Sequence, residues 1–226
     1  MEKKRIILFH GAIGAADQLQ PLADELKAAG HDVRIFEFPG HGNRKLYTEK
    51  FSIESFAKDI MAWMDRNTMS GLEVFGYSMG GYVALYLASE YPGYFTRITT
   101  LGTKFEWSAE IAERETKMLN AEKIAEKVPA FASELEKRHA ALGWKKVLEL
   151  TQAMMRSLGN KNVLTEKEFA QIKIPVTILL GDSDKMVTRE ESEFAMKNIP
   201  GAKFHLLENT PHPIEKVALE KLITQF

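Results

Sequence analysis

Short apolar runs rich in β-branched residues alternate along the chain with longer segments whose apolar positions recur every three or four residues. This switching between a two-residue and a 3.6-residue period is the pattern of βαβ units around a mostly parallel sheet, so the expected fold class is α/β. Strands are predicted at Arg5–Phe9, Asp32–Phe36, Leu72–Phe75, Ile98–Leu101, Val176–Leu180 and Lys203–Leu207, bounded by Gly, Pro, Asn or Asp turn residues. Helices are predicted over Gln18–Ala29, Ile53–Asn67, Met79–Glu90, Glu190–Lys197 and Pro213–Gln225.

Between Lys104 and Lys167 the alternation stops and charged amphipathic segments take over, with Met118, Leu119, Ile124, Val128, Phe131 and Leu135 as one apolar stripe. The segment reads as an inserted helical cap at 104–167, with the core domain formed by 1–103 and 168–226. Helices that simply flank the sheet are the alternative. A long insertion is often an active-site lid. No internal repeat and no low-complexity stretch interrupts the pattern.

Composition narrows the partners. A chain of 226 residues, 45% hydrophobic and 27% charged, can bury one sizeable core and is too apolar to be disordered. Its 30 Lys and Arg nearly balance 31 Asp and Glu, so no overall field favours nucleic acid, anionic lipid or a polyanion. A small, weakly charged molecule is the expected partner, and the oligomeric state is unspecified. The absence of cysteine excludes disulfides, thiolate metal sites and a cysteine nucleophile. The run Ile6-Ile7-Leu8-Phe9 ends at His10-Gly11, too short for a signal-peptide core or a membrane span, so a soluble, cytoplasmic protein is expected.

The candidate chemistry centres on Gly76-Tyr77-Ser78-Met79-Gly80. A hydroxyl is a weak nucleophile at neutral pH, so a catalytic serine must stand clear of its backbone beside a base. Here the pentapeptide follows the apolar strand Leu72-Glu73-Val74-Phe75 and opens the helix beginning at Met79. A strand reversing sharply into a helix strains the serine, and Gly76 and Gly80 leave room where side chains would collide. Gly81 lets the helix sit close to the sheet.

In this arrangement the sequence resembles the α/β-hydrolase superfamily over essentially its whole length. Landmarks match in order: His10-Gly11, Phe38-Pro39-Gly40-His41-Gly42, the serine turn, Gly181-Asp182-Ser183-Asp184, and Pro211-His212-Pro213. The first strand resembles the third of the usual family sheet, which implies a compact member lacking the first antiparallel pair. The resemblance places the oxyanion-hole donors at the N–H groups of Ala12 and Met79, the latter at a helix N-terminus that favours an anion. Such donors are commonly worth about 3–4 kcal/mol each in acyl transfer. Neither a Gly-x-Gly-x-x-Gly spacing nor a Lys-Ser/Thr ending makes the first loop a phosphate cradle.

The family order serine, acid, histidine selects a late base, and His212 fits, held between Pro211 and Pro213 after the last strand. His10 and His41 belong to loop motifs, His31 and His139 read as solvated, and His205 lies within a strand. Two acids follow the fifth strand. The family pattern Gly-x-x-Asp-x-x-Val matches Gly181, Asp184 and Val187, favouring Asp184 as the orienting acid; Asp182, a turn-stabilising side chain on the plainer view, is the alternative. No pair of histidines has a spacing that suggests joint ligation, so neither a metal nor a cofactor is expected.

The resemblance thus implies a serine hydrolase that forms an acyl-enzyme on Ser78, with His212, Asp184, Ala12 and Met79 in support. A carboxylic ester is the expected substrate, with an apolar group suggested by Trp107, Met118, Phe131, Trp144, Met154 and Met155. Thioesterases, lactonases, cofactor-free haloperoxidases, carbon–carbon bond hydrolases and menaquinone-pathway lyases share such triads and stay open, as does a ligand-binding or signalling role. A serine where a carboxylate is required disfavours haloalkane dehalogenation.

Overall fold

The computed structural model describes residues 3–47 and 50–226. Strand β1 (Arg5–Phe9) sets the two faces of its sheet by simple alternation: Ile6 and Leu8 enter one apolar cluster, Ile7 and Phe9 the other. Five further strands follow, β2 (Asp32–Phe36), β3 (Leu72–Tyr77), β4 (Phe95–Leu101), β5 (Val176–Gly181) and β6 (Lys203–Leu207). They pair in the order β2-β1-β3-β4-β5-β6, every pairing parallel.

Helices α1 (Ala16–Ala28), α2 (Ile53–Arg66) and α3 (Met79–Glu90) connect the first four strands. Leu19, Leu22 and Leu26 of α1 cover the Ile6/Leu8 face, while Phe56, Ile60, Val83 and Leu87 of α2 and α3 cover the other. The chain winds outward from β1 to β2 and then returns to the other side of β1 for β3. The strand order therefore reverses between β1 and β3, and the crevice beyond their carboxyl ends is where an open parallel sheet offers a ligand site.

Between β4 and β5 lie α4 (Ala109–Lys117), α5 (Ala121–Lys127), α6 (Pro129–Arg138), α7 (Trp144–Asn160) and the single turn α8 (Glu166–Phe169). Of the six residues expected as an apolar stripe, Leu119, Ile124, Phe131 and Leu135 share one small cluster, but they do so from separate helices and turns. Asn120 caps a new helix and Val128-Pro129 starts another, so the six residues are spread over separate elements. Ile124 and Leu135 are buried in a small cluster with Trp144 and Leu148, whereas Met118 and Val128 are exposed. Farther along α7, Met154 and Leu158 join the main core.

After β5 come α9 (Arg189–Asn198), β6 and a broken C-terminal segment. The helix expected over Pro213–Gln225 is instead a 3-10 turn at Ile214–Lys216 and a short α10 (Leu219–Ile223). Val217 and Ala218 are extended between them, and this break lets Ile214, Val217 and Leu222 all reach the Ile6/Leu8 face. Burial of three apolar side chains outweighs an uninterrupted helix ladder here.

Candidate active site

Strand β3 ends at Tyr77 and α3 begins at Met79, so Ser78 alone makes the reversal, with φ 51° and ψ −117°. A non-glycine residue in this region is strained and is held only by its surroundings. Its N–H donates to the Leu101 carbonyl of β4 at 2.8 Å, and its carbonyl accepts from the Thr103 hydroxyl at 3.0 Å. The flanking glycines are sterically required: a Cβ on Gly76 would strike the backbone of Gly81, and one on Gly80 the carbonyl of Phe9. Met79 opens α3, so its N–H is among the donors that no helical carbonyl can satisfy.

His212 sits in the loop after β6, and its Nδ1 lies 2.7 Å from Asp184 Oδ2. The other oxygen of Asp184 accepts the Met186 and Val187 N–H groups at 2.8 and 3.0 Å, which fixes the carboxylate in the loop after β5. Asp182 is turned elsewhere. It accepts from the N–H groups of Asn209 and Thr210 and from the Ser183 hydroxyl, contacts that lower its pKa, the Asn209 bond most. It ties the β5 loop to the histidine loop without touching the imidazole.

Three neighbours of this pair carry no signal in the local sequence. The Tyr77 hydroxyl donates to the His212 carbonyl at 3.1 Å, and burial raises the phenol pKa so that it stays a donor. Gly102, at φ +57°, lies beneath the pair, where an added Cβ would sit 3.1 Å from Asp184 Oδ2 and 3.2 Å from His212 Nδ1. Thr103 follows it and holds the Ser78 carbonyl. Each becomes visible only once β3, β4 and β5 are side by side.

The turn after β1 runs from Gly11 to Gly14, closed by Gly14 N–H to Gly11 O at 3.1 Å, with Ala12 and Ile13 at its centre. Ile13 has φ 53°, a costly choice for a β-branched residue. Buried histidines brace the turn. His10 donates from Nδ1 to Gly11 O at 2.8 Å and accepts the Phe38 N–H at Nε2. His139, at the end of α6, accepts the Gly42 N–H at Nδ1 and donates from Nε2 to Ile13 O at 2.8 Å.

Burial keeps these rings neutral: it lowers the His10 pKa to about 4, lowers that of His139, and holds His41, ring-stacked on Phe51, well below the usual value. His139 is therefore not the solvated residue that its charged neighbours suggest. His31 is also buried, accepting the Lys4 N–H, whereas His205 is exposed in β6.

Ala12, Ser78, Met79 and His212 line one cavity at the carboxyl ends of β1 and β3. Its remaining wall is largely apolar, with Ile53, Tyr82, Met154, Met155, Leu158, Met186 and Val187, and Lys104, Trp107 and Glu115 complete it. Of the aromatic and Met residues read as an apolar lining, Trp107, Met154 and Met155 reach it, while Phe131 and Trp144 pack in the small cluster between α5, α6 and α7. Among the described residues no group of three His, Asp or Glu is arranged to hold a metal ion, and no helix is long and apolar enough to cross a membrane.

Comparison with known proteins agrees with this architecture. The chain is 24% identical to a pimeloyl-(acyl-carrier protein) methyl ester esterase of Neisseria meningitidis, with 92% of this chain and 86% of that protein covered. It is 23% identical to 3-oxoadipate enol-lactonase 1 of Acinetobacter baylyi, over 92% and 82%. Among solved structures, a putative lipase from Acinetobacter baumannii superposes with a TM-score of 0.79 at 19% identity, covering 99% of this chain and 82% of that one. The enol-lactonase from Burkholderia xenovorans superposes at 0.77 and 17% identity, covering 100% and 90%. Residues 1–216 match the profile of the Hydrolase_4 family, serine aminopeptidase, S33, and the chain accordingly belongs to that family and is a hydrolase of the α/β-hydrolase type.

Proposed function

We propose that this hydrolase cleaves a carboxylic ester by acyl transfer to Ser78. The observation that carries the reading is that a strained serine, an aspartate-bound histidine, Ala12 and Met79 all line one cavity. His212 takes the Ser78 proton as Oγ attacks the carbonyl, and Asp184 fixes the tautomer and stabilises the imidazolium. The Ala12 and Met79 amides receive the negative charge of the tetrahedral intermediate. His212 then protonates the departing alkoxide, and in the second half-reaction it activates water to release the acid.

Helices α4 and α7, within 104–167, act as the cap over this chemistry, since Glu115, Met154, Met155 and Leu158 reach the cavity from them and Lys104 and Trp107 from the connection between β4 and α4. Flexible methionines suit a wall that adapts to an apolar chain. A lactone is a cyclic ester open to the same steps, and the likeness to two enol-lactonases makes lactones part of the substrate panel.

The test is hydrolysis of p-nitrophenyl esters of rising acyl length and of a set of lactones by wild type, Ser78→Ala and His212→Ala. Each variant should lose about 10³-fold or more in kcat while keeping the wild-type melting temperature. Retention of activity within tenfold by either variant overturns the assignment.

A further inference from the structure

The cavity beside Ser78 has a polar end that the acyl-transfer steps do not use. Glu115, on α4, is 4% exposed. Its Oε1 accepts from the Arg114 guanidinium, with Nη2 at 3.0 Å, and lies 3.9 Å from Lys104 Nζ. Its Oε2 is buried with no hydrogen-bond partner. Trp107, in the connection from β4 to α4, likewise buries its indole N–H without an acceptor. Both residues line the cavity that holds Ser78 and His212. Neither the Glu115 carboxylate oxygen nor the Trp107 N–H has a hydrogen-bond partner within the protein, and a buried polar group is stable only when it finds one.

The local charges decide what that partner can be. Lys104 Nζ donates to the Met186 carbonyl at 2.9 Å and pairs with Glu191 Oε1 at 3.5 Å as well as with Glu115. Glu191 in turn accepts the Phe105 and Glu106 N–H groups on its other oxygen. Two cations, Lys104 and Arg114, thus offset two carboxylates, Glu115 and Glu191, and among the described residues no uncommitted Lys or Arg lines the cavity. A substrate carboxylate would meet Glu115 Oε2 unfavourably. An ammonium could satisfy Glu115 but would leave the Trp107 N–H unpaired, and a methyl group would leave both atoms unpaired. A hydroxyl donates one hydrogen bond and accepts another, and so can satisfy the two together.

Building on the ester-hydrolase reading, we infer that Trp107 and Glu115 form a specificity subsite for a neutral hydroxyl, and that the preferred substrates are hydroxyacyl esters with the hydroxyl remote from the ester carbonyl. The apolar wall of Ile53, Met154, Met155 and Leu158 accommodates the intervening methylenes. A site built to hydrogen-bond a substrate hydroxyl discriminates strongly against the analogue lacking it, since the protein groups are otherwise stranded.

Binding and turnover can be separated. Methyl 6-hydroxyhexanoate, 8-hydroxyoctanoate and 10-hydroxydecanoate are titrated into ¹⁵N-labelled Ser78→Ala protein beside the methyl-terminated esters of the same lengths. The Trp107 indole N–H resonance, identified by its absence from Trp107→Phe, is followed. In at least one pair the hydroxy ester should shift that resonance and bind about tenfold more tightly or better. In wild type the same pair should show a comparable ratio of kcat/KM, and Trp107→Phe should bring that ratio close to one. Equal affinities within every pair, or a ratio unchanged in Trp107→Phe, overturns the subsite. Because the titration needs no turnover, a protein that binds hydroxy esters selectively but hydrolyses no ester would sink the ester-hydrolase reading and leave the subsite standing.

Discussion

Replacing His139 by Phe keeps a planar ring in a fully buried position while deleting both of its hydrogen bonds. The Gly42 N–H and the Ile13 carbonyl would then lose their partners, at 3.0 and 2.8 Å in the intact protein. An unsatisfied buried backbone group costs about 1–3 kcal/mol, so with two such groups the variant should lose roughly 2–6 kcal/mol of stability. For a chain of this length that corresponds to a fall of roughly 5–15 °C in melting temperature. Catalysis should fall as well, because Ile13, at φ 53°, sits next to Ala12 in the same turn and His139 holds its carbonyl. Loosening a donor that acts mainly in the transition state should lower kcat by up to about 10² with little change in KM. Thermal unfolding followed by circular dichroism, together with steady-state kinetics on the best p-nitrophenyl ester, measures both effects. A melting temperature within 1–2 °C of wild type and kcat within twofold would refute the idea that His139 braces the turn proposed to hold the oxyanion.

Two further outcomes follow from the same geometry. Asp184→Asn should cost about 10⁴ in kcat by disturbing the His212 tautomer, whereas Asp182→Asn, which touches only the loop backbone and Ser183, should stay within about tenfold; equal effects in ester kinetics would contradict the assignment. Stability should also depend on acid through His10. Burial lowers its pKa from the ordinary 6.5 to about 4, so below pH 6.5 the unfolded chain takes up a proton that the folded one refuses. The contribution is intact above that pH, declines as pH falls toward 4 and levels off below, amounting to about 3 kcal/mol. Urea unfolding between pH 7 and 4 should show this decline, and His10→Gln should flatten it; an identical slope in the variant would assign the acid sensitivity to other groups.

The sheet was legible in the sequence because its signal is local. Strands such as Ile6-Ile7-Leu8-Phe9 and, apart from Thr177, Val176–Leu180 are apolar runs with turn residues at their ends, as strands buried on both faces tend to be. The serine turn was legible for a similar reason, since Gly76, Ser78 and Gly80 meet a steric demand within five residues. His139 was misread because it directly follows the charged stretch Glu134–Arg138, whereas its burial is decided by the distant Gly42 and Ile13. The apolar stripe from Met118 to Leu135 formed only in part, with Met118 and Val128 left exposed. Asn120 and Pro129 are helix-start signals that break its period, and they outrank the spacing of the apolar residues. Gly102 and Tyr77 carry no chemistry alone and gain their roles only where the ends of β3 and β4 meet the loops that carry Asp184 and His212.

The most direct test of the central claim is treatment of wild-type protein with a fluorophosphonate, followed by peptide mass mapping, with turnover measured on the same preparation. A stoichiometric adduct confined to the peptide bearing Ser78, lost in Ser78→Ala and strongly slowed in His212→Ala, together with ester or lactone turnover, is the predicted result. A folded wild-type protein that remains unlabelled, or that is labelled elsewhere, would contradict Ser78 as the nucleophile, and labelling without turnover of any ester or lactone would contradict a hydrolytic role for the site.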